Sequence, residues 1–304
     1  MAWETILNLK NEIKKMSLNL ADSDFSEKYI VKNKKFYFRS NNFNVGISFS
    51  GNKLEDTELD VNINCQEPLI CKISYSQKVS IVNRNLFNVY IPYAVLPFHS
   101  EKNKKIYVIS HFAQTLDGRI ASVSGDSKWI GNQENLVHAH RMRALLEGIL
   151  VGSKTIESDN PKLSVRHVSG DDPKKIVVGG DKMNIKNYHI SEKEFISFSQ
   201  SINSKGRNFR LNKKNGIYDS RRILETLYDQ GLRSVYIEGG SFTTSTFLTQ
   251  NSIDQVQVHF APIILGSGVT SFNFKGVQYL KEAVYFRSFR YQPLGNQMMF
   301  IGEL

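Results

Sequence analysis

The sequence predicts an α/β protein built on a mostly parallel sheet with helices on both faces, preceded by a small β-rich region. Two observations carry this expectation. Beyond residue 103, strand-like runs alternate with helical ones, the pattern of parallel strands joined through helices. Between Tyr29 and Leu96, short runs rich in β-branched and aromatic residues are separated by Asn, Gly, Ser and Pro, as strands joined by turns would be. A chain of 304 residues can bury a sizeable core. The polar stretch HSEKNKK (99–105) suggests a division into residues 1–103 and 104–304.

The elements follow in order. Over the first 25 residues, Ile6, Leu9, Ile13, Met16 and Leu20 recur at helical spacing. KFYFRS, NVGISFS, LDVNIN, LICKISYS and NVYIPYAVL (88–96) then read as strands. In the second part IYVISHFA, GILVG, KKIVVGG, EFISFSQ, SVYIEGG and DQVQVHFAPIILG are the strands expected. Helices are expected between them over about 133–147, 220–231 and 242–251.

Composition narrows the function classes. The chain is 40% hydrophobic and 22% charged, ordinary for a globular protein. No apolar run approaches the roughly 20 residues that span a bilayer, and MAWETILNLKNEIKK has neither the basic start nor the apolar core of a signal peptide. No membrane association is expected. Two cysteines, Cys65 and Cys71, cannot make a disulfide framework and read as free thiols in a reducing compartment, so a cytoplasmic location is expected. The net charge is +10, and residues 101–304 carry 27 Lys+Arg against 19 Asp+Glu. That excess suits an anionic ligand, but the basic residues are scattered, so nucleic acid is not the expected partner.

Three motifs could carry chemistry. In SVYIEGGSFTTSTFL (234–248) a strand ends at Glu238, and Gly239-Gly240 and Ser241 open a helix. Glycines let a ligand approach the backbone, and a helix start offers free N–H groups to a phosphate; a tight turn with a Ser cap would use the same residues. GILVGSKTIESDNPKLSVR (148–166) repeats the logic, a strand followed by a short Ser/Thr-rich turn, with Thr155 and Asp159 at the edge where α/β sheets bind ligands. Asp159 could equally cap a local turn. FAPIILGSGVTSF (260–272) has Gly266 and Gly268 but no acidic residue at the dinucleotide-binding distance. His138 and His140, two apart on a helix, point to different faces, so no metal site is expected. Trp129 fits either a core or a pocket wall. The first region lacks an H-x-E with a P-C-x-x-C partner, which excludes zinc-deaminase chemistry there.

Taken in order, TLDGRIA, SGDSKWI, HRMRALLEGILVGSKTIESDNPKLSVR, YIEGG and APIILGSG resemble the pyrimidine reductase domain of riboflavin biosynthesis over roughly residues 104–304. The resemblance implies a dihydrofolate-reductase-like fold. It also implies NADPH-dependent reduction of a 5-phosphoribosylamino-pyrimidine to the ribitylamino product, with hydride going to sugar C1′. Carried over by motif, it assigns to the cofactor Ala113 and Thr115 (against the nicotinamide), Trp129, Thr155, Asp159, and the run Gly239, Gly240, Ser241, Phe242, Thr243, Thr244, Ser245 and Thr246. It assigns to the substrate Ser127, Arg143, Leu163, Arg166 and Glu238, with Arg143 and Arg166 clamping the phosphate. Asp159 and Glu238 are the carboxyls available as proton donor, and a homodimer is implied. The chain departs from the pattern at Thr115, where Ser is commoner, and at VVGGD (177–181). A same-fold reductase of another small molecule, such as a pteridine, and a non-catalytic ligand-binding relative remain open. The role of residues 1–103 is open as well.

Overall fold

The structure, a computed structural model, describes residues 1–18, 35–39, 43–49, 59–181, 187–192, 194–201 and 206–304. It divides into two compact units, Met1–Lys105 and Ile106–Leu304.

In the first unit, helix α1 (Ala2–Leu18) buries Ile6, Leu9, Ile13 and Met16, the stripe its periodicity predicts; Leu20 lies outside the described residues. Strands β1 (Lys35–Arg39), β2 (Asn44–Ser48), β3 (Val61–Glu67) and β4 (Ile70–Tyr75) form a sheet in that order. The rest of the β-rich stretch, 29–34, 40–42 and 50–58, lies outside the described residues. Helices α2 (Ile81–Ala94) and α3 (Leu96–Asn103) complete the unit.

Two expectations are corrected here. NVYIPYAVL is not a strand: most of it is the second half of α2, with Phe87, Tyr90, Ile91 and Tyr93 buried. Ser80 starts that helix by accepting a hydrogen bond from the Asn83 N–H, and the rings of Trp3 and Tyr90 pack in a T shape with centres 5.6 Å apart. A short apolar run buried all round reads alike as strand or helix. The two cysteines are not free. β3 and β4 pair antiparallel with Asn64 opposite Lys72, which sets Cys65 against Cys71 with Cα atoms 4.4 Å apart, and a disulfide joins them. Their sequence spacing says nothing of this register, and the argument from free thiols to a reducing compartment falls with it.

The second unit contains β5 (Tyr107–Thr115), β6 (Arg119–Ala121), α4 (Gln133–Leu145), β7 (Gly148–Gly152), α5 (Ser153–Asp159), β8 (Lys174–Val178), β9 (Phe195–Ser199) and β10 (Arg207–Arg210). It continues with α6 (Ser220–Asp229), β11 (Ser234–Glu238), α7 (Ser241–Thr249), β12 (Gln255–Ala261), β13 (Val269–Thr270), β14 (Ser288–Leu294) and β15 (Gln297–Glu303). Nine of the described strands make one sheet in the order β10-β9-β8-β7-β11-β5-β12-β15-β14. It is parallel from β10 to β12 and antiparallel through the closing β14–β15 hairpin. The turn expected after β7 is instead α5, ended by Asn160 in the left-handed conformation.

The faces of this sheet differ in chemistry. On one, Val108, Leu150, Val235, Ile237, Val256 and Val258 pack with Ile223 and Leu227 of α6 and Phe247 of α7 in a single apolar cluster. On the other, α4 covers polar side chains: His138 Nε2 lies 2.8 Å from Gln257 Oε1, and His111 Nε2 lies 2.9 Å from Asn135 Oδ1. The alternation Gln255, Val256, Gln257, Val258, His259 in β12 would suit a sheet with one wet face, yet all five residues are buried. Burial is the largest influence on His111 and His138, holding both near a pKa of about 3, so both rings are neutral.

Candidate active site

A cleft of about 1210 Å³ opens along the carboxyl ends of β5, β11, β7 and β8, the edge where parallel α/β sheets take their ligands. Of the eighteen residues assigned by resemblance, it brings together Ala113, Ser127, Trp129, Arg143, Thr155, Asp159, Leu163, Glu238, Gly239, Gly240, Ser241, Phe242, Thr243 and Thr246. Thr115, Arg166, Thr244 and Ser245 do not line it.

The centre of the cleft is the turn between β11 and α7. Gly239 and Gly240 both have φ of 78°, a backbone an L side chain resists. A Cβ on Gly240 would stand 3.2 Å from Thr155 Oγ1, and one on Gly152 only 2.6 Å from Thr243 Oγ1. The hydroxyls of α5 and α7 therefore converge on bare backbone. Ser241, at the first position of α7 and 8% exposed, has a buried Oγ without a partner. Buried polar atoms are normally satisfied. A hydroxyl left open beside a helix N-terminus and a glycine turn is chemistry suited to an anion. The residues present therefore fit a dinucleotide's diphosphate.

Beside this turn Glu238 and Arg143 meet. Arg143 Nε donates to Glu238 Oε2 at 2.8 Å, Nη2 to Oε1 at 2.5 Å, and Nη1 to the Ser164 carbonyl at 2.9 Å. Burial works against the Arg143 charge, but the Glu238 carboxylate outweighs it and raises the arginine's pKa. The Arg143 fork is thus already filled by a carboxylate. Arg166 is exposed; its guanidinium donates to Ser164 Oγ and its backbone N–H to His140 Nδ1. Asp159 is exposed at the end of α5.

The Asp-Gly-Arg turn has a structural job. Thr115, fully buried, donates its hydroxyl to Asp117 Oδ1 at 2.6 Å and accepts from the Arg119 N–H at 3.0 Å. Asp117 also accepts from the N–H groups of Leu265 and Gly266, and β13 pairs with β6 just beyond. The Thr115 hydroxyl, with these donors, brings the Asp117 pKa down to about 2. The turn thus clasps the 263–270 loop, which contributes Gly268, Val269 and Thr270 to the cleft. Thr244 faces Ser110, and Ser245 Oγ accepts from the Asn273 N–H, so both hold α7 rather than line the cleft. Trp129 is 85% exposed with φ of 70°, a cleft-side ring rather than core.

Sequence reasoning missed several lining residues, His111, Asn135, Lys154, Lys213 and Tyr218, and noted Gly179 and Gly180 only within VVGGD, as a departure from the family pattern near the cofactor edge. The glycine pair after β8 was the available signal, a repeat of the Gly239-Gly240 pattern. Lys213 and Tyr218 carry no local signal, because they reach the cleft from the segment between β10 and α6.

Fold and site define a class, an α/β protein whose ligand cleft sits at the carboxyl edge of a mostly parallel sheet. Residues 106–300 match the family described as the RibD C-terminal domain, and the chain belongs to that family. It is 28% identical over 204 residues to the riboflavin biosynthesis protein RibD of Aquifex aeolicus, covering 64% of this chain and 56% of that protein. It is 30% identical over 208 residues to the 2,5-diamino-6-ribosylamino-4(3H)-pyrimidinone 5′-phosphate reductase of Methanothermobacter thermautotrophicus, covering 64% and 95%. The chain thus spans little more than half the length of the RibD protein and nearly all of the archaeal reductase.

Solved structures agree on the fold. A deaminase/5-amino-6-(5-phosphoribosylamino)uracil reductase from Thermotoga maritima superposes with a TM-score of 0.61 at 24% identity, covering 73% of this chain and 62% of that one. The riboflavin biosynthesis reductase of Saccharomyces cerevisiae gives 0.55 at 21% identity, covering 66% and 90%.

Proposed function

We propose that this protein reduces a 5-phosphoribosylamino-pyrimidine to the ribitylamino-pyrimidine 5′-phosphate with NADPH. The observation that carries the reading is the glycine turn at Gly239-Gly240, with the open Ser241 hydroxyl and the Thr155 and Thr243 hydroxyls converging on it. Family membership supplies the reaction class.

When bound, NADPH supplies a hydride from its nicotinamide. The chain's own residues do the rest. Ala113 at the end of β5 leaves room for a flat ring, and Thr155, Ser241, Thr243 and Thr246 hold the diphosphate by hydrogen bonds. In the substrate the C1′–O4′ bond breaks as the exocyclic nitrogen forms a double bond to C1′, and O4′ takes a proton. Hydride then adds to C1′ and the π pair returns to nitrogen. Positioning carries most of such a reaction, but O4′ needs an acid. Both Glu238 oxygens accept from Arg143, so Glu238 serves to orient the substrate. Asp159 is the carboxyl left for that task. Arg143 remains the group for the substrate phosphate and would share its guanidinium between Glu238 and the ligand; Arg166 does not line the cleft and would have to leave Ser164 Oγ to join it.

A homodimer follows naturally from the same reading: β14 is an edge strand whose outward residues include exposed Phe289 and Tyr291, an edge of the kind that pairs with another chain. A cytoplasmic location belongs to the same proposal, as one setting that supplies NADPH and phosphorylated intermediates.

The test is turnover. Purified protein given NADPH and the phosphoribosylamino-pyrimidine should oxidise the cofactor and form the ribityl product. Asp159→Asn should lower turnover at least a hundredfold while still binding NADPH. Full turnover by Asp159→Asn would remove Asp159 from the chemistry, and no NADPH oxidation by the wild type would remove the reading itself.

A further inference from the structure

The cleft runs past β11 to the end of β8, and that end has its own chemistry. Neighbouring strands lie about 4.8 Å apart, so β8, two strands from β11, lies about 10 Å away. If the diphosphate sits at the β11 turn and the nicotinamide against Ala113 on β5, the adenosine half must extend the other way, over β7 and β8. Gly179 and Gly180 form the floor there, with φ of 94° and 84°. A Cβ on Gly179 would lie 3.0 Å from Ser153 Oγ, so the backbone is kept bare for close approach.

Lys213 lines this end of the cleft and is held from two sides. Its Nζ donates to Asp181 Oδ2 at 2.8 Å and stands 4.9 Å from the centre of the Tyr218 ring. Asp181 does not line the cleft. Its Oδ1 accepts from the Tyr218 hydroxyl at 2.9 Å and from the Gln200 N–H at 2.6 Å. Burial would raise the Asp181 pKa, but these donors outweigh it and lower it. Both carboxylate oxygens are therefore occupied. In dinucleotide sites a free carboxylate commonly accepts the ribose 2′-hydroxyl, whereas a basic residue suits a 2′-phosphate. Here the acid is spent on anchoring the base. An ammonium carries three donors, so Lys213 keeps two for the cleft, and a side chain already held loses little freedom on meeting a ligand.

We propose that Lys213, positioned by Asp181 and Tyr218, receives the phosphomonoester on the adenosine ribose and makes this cleft select NADPH over NADH. The inference rests on the reductase reading and adds the residue that discriminates the two cofactors. Lys154, another basic residue lining the cleft, is exposed on α5; it lacks the anchoring that Asp181 and Tyr218 give Lys213.

The experiment is a binding titration of NADPH, NADH, adenosine 2′,5′-bisphosphate and 5′-AMP. It compares the full-length wild type with Lys213→Gln, Lys213→Arg and Lys154→Gln. Lys213→Gln should weaken NADPH and the bisphosphate at least tenfold, leave NADH and 5′-AMP within twofold, and so erase the preference. Lys213→Arg should keep most of it. Unchanged NADH binding also shows that the variant is folded. An unaltered NADPH-to-NADH ratio in Lys213→Gln, or a ratio lost only in Lys154→Gln, would overturn the assignment and leave the reductase reading standing. Failure of the wild type to bind either dinucleotide would overturn both.

Discussion

Arg143 on α4 and Glu238 at the end of β11 are joined at two points, Nε to Oε2 and Nη2 to Oε1, across a separation of 95 residues. The pair ties the helix under the polar face to the strand whose glycine turn forms the cleft. The Glu238 carboxylate outweighs the effect of burial on Arg143 and raises the arginine's pKa. A planar guanidinium matches a carboxylate in a way an ammonium cannot.

Removing one partner should therefore cost more than a hydrogen bond. Glu238→Ala leaves a buried guanidinium uncompensated and is expected to lose about 3 kcal/mol of stability. Arg143→Lys should recover only a fraction of the function lost in Arg143→Ala, because the two-point geometry is gone. Urea unfolding and steady-state kinetics check both, and an Arg143→Lys variant with wild-type KM and turnover would show that the fork geometry is unimportant.

The anion cradle is testable without substrate. Thr155→Val keeps the shape of α5 but removes a hydroxyl, and should weaken NADPH binding about tenfold, roughly the worth of one hydrogen bond to a charged group. Gly240→Ala forces a Cβ into the gap beside Thr155 Oγ1 and onto a backbone with φ of 78°. It should cost about 1–2 kcal/mol in strain and weaken binding further. Nicotinamide fluorescence reads both.

The neutral histidines predict acid sensitivity. In the unfolded chain His111 and His138 take up protons below about pH 6.5, whereas burial keeps them neutral in the fold until about pH 3. The unfolded state thus binds more protons across that window. Stability is complete above about pH 6.5 and falls as the pH drops toward 3. His138→Gln should flatten that decline in a series of thermal melts. An identical pH dependence in wild type and variant would contradict the assignment.

The Cys65–Cys71 bond closes a short loop in the first unit, with a sequence separation of 6. On the chain-entropy account such a crosslink contributes about 2 kcal/mol. Alkylation of the native, unreduced protein followed by mass measurement should find neither thiol labelled. The double Ser variant should unfold at lower urea in the first unit, with NADPH binding by the second unchanged.

How much of this was legible in the sequence depended on whether the signal was local. The helical spacing of Ile6, Leu9, Ile13 and Met16, the strand-turn-helix order around Gly239-Gly240, and Thr155 as the third residue after β7 all depend on neighbours in the chain. Backbone propensity and turn chemistry act over a few residues, so these features could be read directly. The residues carried over by the family resemblance lie in such local motifs, and fourteen of the eighteen line one cleft. Of the four that do not, Thr244 and Ser245 lie between the lining residues Thr243 and Thr246, whereas Thr115 is two residues from Ala113 and Arg166 three from Leu163. Side-chain direction, which alternates along a strand and rotates around a helix, decides which neighbour faces the ligand.

By itself, then, the sequence determined the alternation of strands and helices, the family motifs and the glycine turns. Tertiary structure alone decided the rest. Cys65 met Cys71 through a hairpin register, and Glu238 met Arg143 through the pairing of distant elements. Gln257 and His259 were buried because α4 covers a face their alternation would have left to water. Lys213 reached the cleft from the segment between β10 and α6, where Asp181 pairs with it. Each of these is a contact between residues far apart in the chain, and such contacts are set by packing and partner satisfaction across the whole unit rather than by any stretch of residues that can be read alone.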